Sequence, residues 1–271
     1  MATDGRVSKT YKLIASAQED APWLVLVHGV SQDHRVFDKQ VESFSPCYRI
    51  CLIDLPGHGM AEHLDGPYGL PEYAAHIQAV LTDAEIVKPH FWGTHLGAGA
   101  GVLLACHQPD LFQSLILEGP VFPGRSLPAV GSVLDKVGRV AQGEGIEKAR
   151  AVWWDEGEWF DVMRAHPKAC RAQEQRAIID DFKGRPWLDA GLASKPLPPI
   201  DGQLVGIQPP VLIYNGQHDL QDFVDAADAL VELLPNCQRE VVPEAGGFPL
   251  WEFPDRVNTL VHAFLQDGRF A

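Results

Sequence analysis

The chain reads as an α/β protein: a mostly parallel sheet flanked by helices, with a helical insertion in the middle of the chain. Three observations predict this. Its 271 residues suit one large domain, or a core with a small insert. Short apolar runs bounded by turn residues alternate with segments of helical period. Between Phe122 and about Leu204 the strand signal disappears.

In chain order, Trp23–Val27 is a buried strand ending at His28-Gly29, and Val36–Phe44 is a helix. Tyr48–Ile53 is a second strand ending at Asp54, and Leu70–Ala84 is a helix. Pro89–Trp92 is a third strand, and Ala98–Ala105, made of small residues, is a helix suited to close packing on a sheet. Ser114–Leu117 ends at Glu118-Gly119-Pro120. Gly145–Ala165 and Pro167–Phe182 read as helices rich in tryptophan and charge, and Lys195–Pro199 as a linker back to the sheet. Pro210–Tyr214 and Arg239–Val242 are the last strands, accompanied by helices over Gln221–Leu234 and Pro254–Gln266. The expected division is a core of residues 1–122 and 207–271 with a helical cap over 123–206.

Composition narrows the function. The chain is 46% hydrophobic and 21% charged, ordinary for a globular protein with a substantial core. Its 22 basic and 36 acidic side chains give a formal charge of −14, which repels phosphate backbones, so no nucleic-acid partner is expected. No apolar run approaches the ~20 residues of a membrane span, and the N-terminus lacks the blocks of a signal peptide. No membrane association is expected. Five scattered cysteines without C-x-x-C point to a reducing cytoplasm. Neither a metal site nor a cofactor is expected. The expected partner is a small-molecule substrate or ligand, with a homodimer as the candidate assembly.

The sequence between the third strand and its helix is Gly93-Thr94-His95-Leu96-Gly97. A strand, G-x-S-x-G and a helix make a nucleophile elbow, a sharp turn that lifts one side chain above the sheet. Here histidine stands where serine is usual. Four other segments accompany it in order: Leu26–Ser31 with its His-Gly pair, Asp54-Leu55-Pro56-Gly57-His58-Gly59, Gly216-Gln217-His218-Asp219, and Pro243–Pro254.

Together these five segments resemble the α/β-hydrolase superfamily over nearly the whole chain. The likeness is to capped small-molecule members such as 3-oxoadipate enol-lactonases and meta-cleavage-product hydrolases. The resemblance implies an oxyanion hole from the amides of Val30 and Leu96, and a triad acid at Asp219. Two catalytic positions depart from the pattern: His95 occupies the nucleophile position, and Gly247 occupies that of the general-base histidine. Ordinary Ser-His-Asp catalysis, in which an imidazole takes the proton of a hydroxyl, is excluded at this site.

Three chemistries stay open. In the first, His95 acts as base toward a water or as nucleophile, hydrolysing an ester, a lactone or a C–C bond of a small apolar or aromatic carbonyl compound. The absent side chain at Gly247 is expected to leave space for that water. An orienting carboxylate is supplied by Asp219, or by Glu118, whose position at the end of the strand after the elbow matches the acid of haloalkane dehalogenases. In the second, the chain is a pseudoenzyme that binds a ligand without turnover. In the third, the pocket supports a cofactor-independent lyase, decarboxylase or dioxygenase. Ser31, His34, Phe122, Trp153, Trp154 and Phe248 are the expected lining of the substrate pocket, with Phe248 partly filling the space beside Gly247. His28 and His58 read as structural parts of their turns.

Overall fold

Seven strands form one sheet in the order β1-β3-β2-β4-β5-β6-β7. The computed structural model describes residues 10–18, 20–189 and 196–267. The elements begin with β1 (Tyr11–Ile14), β2 (Trp23–Val27), α1 (Asp38–Phe44), β3 (Arg49–Ile53), α2 (Leu70–Asp83), β4 (His90–Thr94), α3 (Leu96–His107) and β5 (Ser114–Glu118). There follow α4 (Pro128–Glu144), α5 (Ile146–Glu156), α6 (Asp161–Ala165), α7 (Ala172–Asp181), α8 (Arg185–Leu188) and α9 (Asp201–Leu204). The chain closes with β6 (Val211–Gly216), α10 (Gln221–Leu233), β7 (Cys237–Val242), α11 (Pro249–Glu252) and α12 (Pro254–Asp267).

From β3 to β7 every pairing is parallel, and every residue of β4, β5 and β6 is buried. Parallel strands covered on both faces need continuous apolar runs, which is how these strands were legible in the sequence. Alternate residues then serve opposite cores. Val25, Val27, Phe91, Leu115 and Leu117 pack with Tyr73 and Ile77 of α2, Leu103 of α3 and Leu230 of α10. Leu24, Leu26, Trp92, Ile116 and Leu212 pack with Phe44 of α1 and Val257 and Val261 of α12.

Five segments differ from expectation. β1, antiparallel to β3 from Tyr11↔Ile53 to Ile14↔Ile50, has exposed residues at Lys12 and Leu13, and so lacks the apolar run that marks the others. α4 was unmarked because Gly131, Gly138 and Gly143 dilute its helical propensity. The helix expected over Gly145–Ala165 is broken after Glu156, where Gly157 makes the turn into a 3-10 segment, Glu158–Phe160. A Cβ on Gly157 would lie 2.7 Å from the Trp153 carbonyl oxygen. The helix expected over Pro167–Phe182 begins only at Ala172, and the expected helix at Val36–Phe44 opens as a 3-10 turn over His34–Phe37. Lys195 of the expected linker lies outside the described residues. Among the described residues no helix is long and apolar enough to cross a membrane.

Candidate active site

The site sits at the carboxyl ends of the central strands, where a parallel sheet presents its loops. β4 turns into α3 in a single residue, His95, whose backbone has φ 45° and ψ −104°. Such a conformation costs ~1–3 kcal/mol for a residue with a Cβ unless its surroundings impose it. They do so through glycine. A Cβ at Gly93 would come within 2.6 Å of the Ala98 nitrogen, and one at Gly97 within 2.4 Å of the Val27 carbonyl. The His95 amide donates to the Glu118 carbonyl at 2.8 Å, and its own carbonyl accepts from Gly99 at 2.9 Å and Val121 at 3.2 Å. Strand, helix and neighbouring strand therefore fix where the imidazole projects.

The imidazole is 6% exposed and edged by two aromatic rings, Phe223 and Phe248, each with its centroid 4.8 Å away. Neither ring nitrogen pairs with a protein group. Nδ1 faces Gly29, 3.5 Å from the point a Cβ there would occupy. Nε2 faces Gly119, 3.0 Å from its Cβ position. Burial pushes the ring's pKa down to about 4, opposed by the nearby backbone of Gly247. At neutral pH the ring is uncharged.

The two carboxylates offered by the sequence stand near this ring without bonding to it. Asp219 Oδ2 approaches the same Gly119 position from 3.3 Å, yet it accepts from Asn215 at 2.7 Å, while Oδ1 accepts from the Leu220 amide at 2.8 Å. Burial raises Asp219 to about 7, and its hydrogen bonds from Asn215 and Leu220 oppose the shift. Glu118 is fully buried and its Oε2 accepts from the Leu250 amide at 2.8 Å. Burial holds this carboxyl well above the usual carboxylate range, against the pull of the Leu250 amide and the Tyr214 hydroxyl. Tyr214 in turn accepts from Trp92 Nε1 at 2.9 Å. Glu252, a third buried carboxyl in this region, accepts from the Gly246 amide at 2.5 Å and is raised by burial to about 8. The hydrogen-bonded His–carboxylate pair expected from sequence is not assembled.

The space expected beside Gly247 is filled. A Cβ there would stand 2.6 Å from the Cβ of Trp159 and 3.0 Å from its carbonyl oxygen. What remains open is a cavity of about 30 Å³ lined by Val30, His95, Val130, Trp153, Trp159, Phe223 and Phe248. That holds a water or two; small-molecule sites run to ~300–1,000 Å³. The backbone amides of Val30, which lines the cavity, and of Leu96, next to His95 in the chain, have no protein acceptor among the described residues.

The structure brings Val30, Trp153 and Phe248 to the cavity and leaves other expected lining residues outside it. His34 donates its backbone amide to Asp54 at 2.6 Å and places Nδ1 2.9 Å from the same carboxylate, lining a separate cavity of about 540 Å³ beside Arg35 and Trp251. Phe122 is buried in the opposite core, with Arg125 over its ring at 4.1 Å. Trp154 packs on Phe160 at 4.8 Å. Ser31, at φ 62°, is buried and accepts from Trp153 Nε1 at 2.8 Å, so it anchors the cavity wall instead of lining it. Val130, Trp159 and Phe223 are the cavity residues that sequence reasoning did not assign; they carry no signal beyond being apolar on helical segments.

A family model described as alpha/beta hydrolase fold matches residues 22–143. The pimeloyl-[acyl-carrier protein] methyl ester esterase of Nitrosomonas europaea is 25% identical over 88% of this chain and 93% of its own length. A 2-hydroxy-6-oxononadienedioate/2-hydroxy-6-oxononatrienedioate hydrolase of Burkholderia vietnamiensis is 25% identical over 90% of this chain and 86% of its own. MenH from S. aureus superposes with a TM-score of 0.85 at 22% identity, covering 97% of this chain and 100% of that one.

Proposed function

We propose that this chain, a member of the α/β-hydrolase superfamily, hydrolyses a small apolar or aromatic carbonyl compound by direct attack of water, with His95 as general base. The observation that carries this reading is an uncharged imidazole with two unpaired nitrogens, held at the elbow beside the unused amides of Val30 and Leu96. His95 takes a proton from a water in the cavity, and the resulting hydroxide attacks the carbonyl carbon. The carbonyl oxygen gathers charge against the two amides, which stabilise it whatever generates the nucleophile. Collapse expels the leaving group, which takes the proton back from the imidazolium. Asp219, across Gly119, is raised by burial to about 7 and is held by hydrogen bonds from Asn215 and Leu220; the step does not depend on its ionisation.

The cavity admits water but no substrate, so the helices between β5 and β6, acting as a cap that carries Val130, Trp153 and Trp159, must move for a substrate to enter. The apolar wall selects apolar or aromatic acyl groups. Small aryl esters, lactones and vinylogous diketones are the test panel. Turnover that vanishes in His95→Ala with the fold intact supports the reading. Equal turnover in the variant defeats it.

A second reading is a ligand-binding protein without turnover, favoured by one observation: Trp159 closes the position of the family's base. Saturable binding of panel compounds, with no product over prolonged incubation, selects it.

A further inference from the structure

His95 has lost both the histidine and the carboxylate that would ordinarily orient a ring at this site. The backbone of Gly247 is felt by the ring but makes no close, well-aligned hydrogen bond to it, and a buried imidazole with a weakly set tautomer makes a poor base, because only one nitrogen carries the lone pair. The loop after β2 contains a side chain placed to set it. Gln32 is 3% exposed, and its Oε1 is buried and pairs with no protein group. That oxygen lies 3.4 Å from the Cβ position of Gly29, and His95 Nδ1 lies 3.5 Å from the same point. The two atoms therefore border one small space, open because residue 29 has no side chain. One is an acceptor without a donor. The other is a ring nitrogen able to donate. A buried polar group left without a partner is destabilising, which favours joining them.

The geometry points to Gln32 as the positioning residue of His95: Nδ1–H donates to Gln32 Oε1 through one water in the space against Gly29. This leaves the Nε2 lone pair as the basic site, on the side of Gly119 and Asp219. The role deepens the hydrolase reading and rests on it for its purpose, but the tautomer itself is measurable without turnover. A neutral amide fits this buried site better than a carboxylate, since it orients the ring without adding a charge to be desolvated.

The test is 15N NMR of the full chain labelled at histidine, with the His95 signals identified by their loss in His95→Ala. At neutral pH the wild type is expected to show a single tautomer, protonated at Nδ1. Gln32→Met, of matching size and without the acceptor, is expected to lose that single tautomer while other histidine signals stay in place. Gln32→Glu is expected to keep the Nδ1 proton and move the His95 titration up by about 1–3 pH units, as an adjacent opposite charge does. A wild-type ring protonated at Nε2 overturns the proposal, and so does an unchanged ring in Gln32→Met. If that variant fails to fold, an unmoved titration in Gln32→Glu overturns it. Absence of turnover with the Nδ1 tautomer present removes the hydrolase reading and leaves this one standing.

Discussion

Trp159 and Gly247 occupy one position between them: a Cβ at residue 247 would lie 2.6 Å from the Trp159 Cβ and 3.0 Å from its carbonyl oxygen. The missing histidine of the elbow site and the closed helical wall above it are thus a single structural fact. A side chain at residue 247 has no room while Trp159 stands there.

It follows that Gly247→His does not rebuild a triad. Forcing a ring against Trp159 overpacks the site at a cost of ~1–3 kcal/mol or more. The melting temperature is expected to fall by several degrees, and His95→Ser with Gly247→His is expected to gain no esterase activity. Adding Trp159→Gly is not expected to restore stability, because it removes a buried ring packed on Trp153 and Phe160 and leaves the Trp159 backbone against residue 247. Thermal melts of the three variants check this.

Ser31 and Trp153 join the loop after β2 to α5 through a buried hydrogen bond at 2.8 Å. Trp153→Phe leaves the Ser31 hydroxyl unpaired and is expected to cost ~1–3 kcal/mol. Ser31→Ala removes the same bond, so the double variant should cost less than the sum of the two. A double-mutant cycle in denaturant measures that coupling.

Much of this was legible beforehand. The elbow glycines, the Asp54 turn and the strand runs each follow from local chemistry: a Cβ that has no room, or a strand covered on both faces. His95 was recognisable as the projecting residue for the same reason. The fate of Gly247 was not, because the residue filling its place lies in a helical segment far along the chain. Nor was the separation of His95 from Asp219 and Glu118, each of whose carboxyl groups is held by backbone or side-chain donors of its own. α4 and β1 escaped because glycines and exposed positions dilute their patterns.

Glu252 is raised by burial to about 8, above its unfolded value of 4.5. An acid shifted upward stays protonated in the fold while the unfolded chain ionises. Its contribution to stability is therefore full below about pH 4.5 and is lost as pH rises toward 8. Glu252→Gln is expected to be more stable than the wild type at pH 8, by on the order of 2–4 kcal/mol, with the advantage gone at pH 4.5. Paired unfolding curves at the two values test the sign.

His58, His90 and His95 shift the opposite way, to about 3, 4 and 4, through burial. They stay neutral in the fold, while the unfolded chain takes up protons below about pH 6.5. Their contribution falls as pH drops from 6.5 toward 4. Replacing His90 by Gln is expected to flatten this acid loss, measured as the midpoint of unfolding against pH.

The most direct test of the central claim is the pH dependence of kcat/KM on a small aryl ester, in the wild type and in His95→Ala. With His95 as a buried general base, the acid limb is expected near pH 4, where its imidazole titrates, well below the ordinary histidine value. The variant is expected to lose at least ~10²-fold in rate, the lower range of general-base catalysis. An acid limb near 6.5, or a profile unchanged in His95→Ala, would contradict the account.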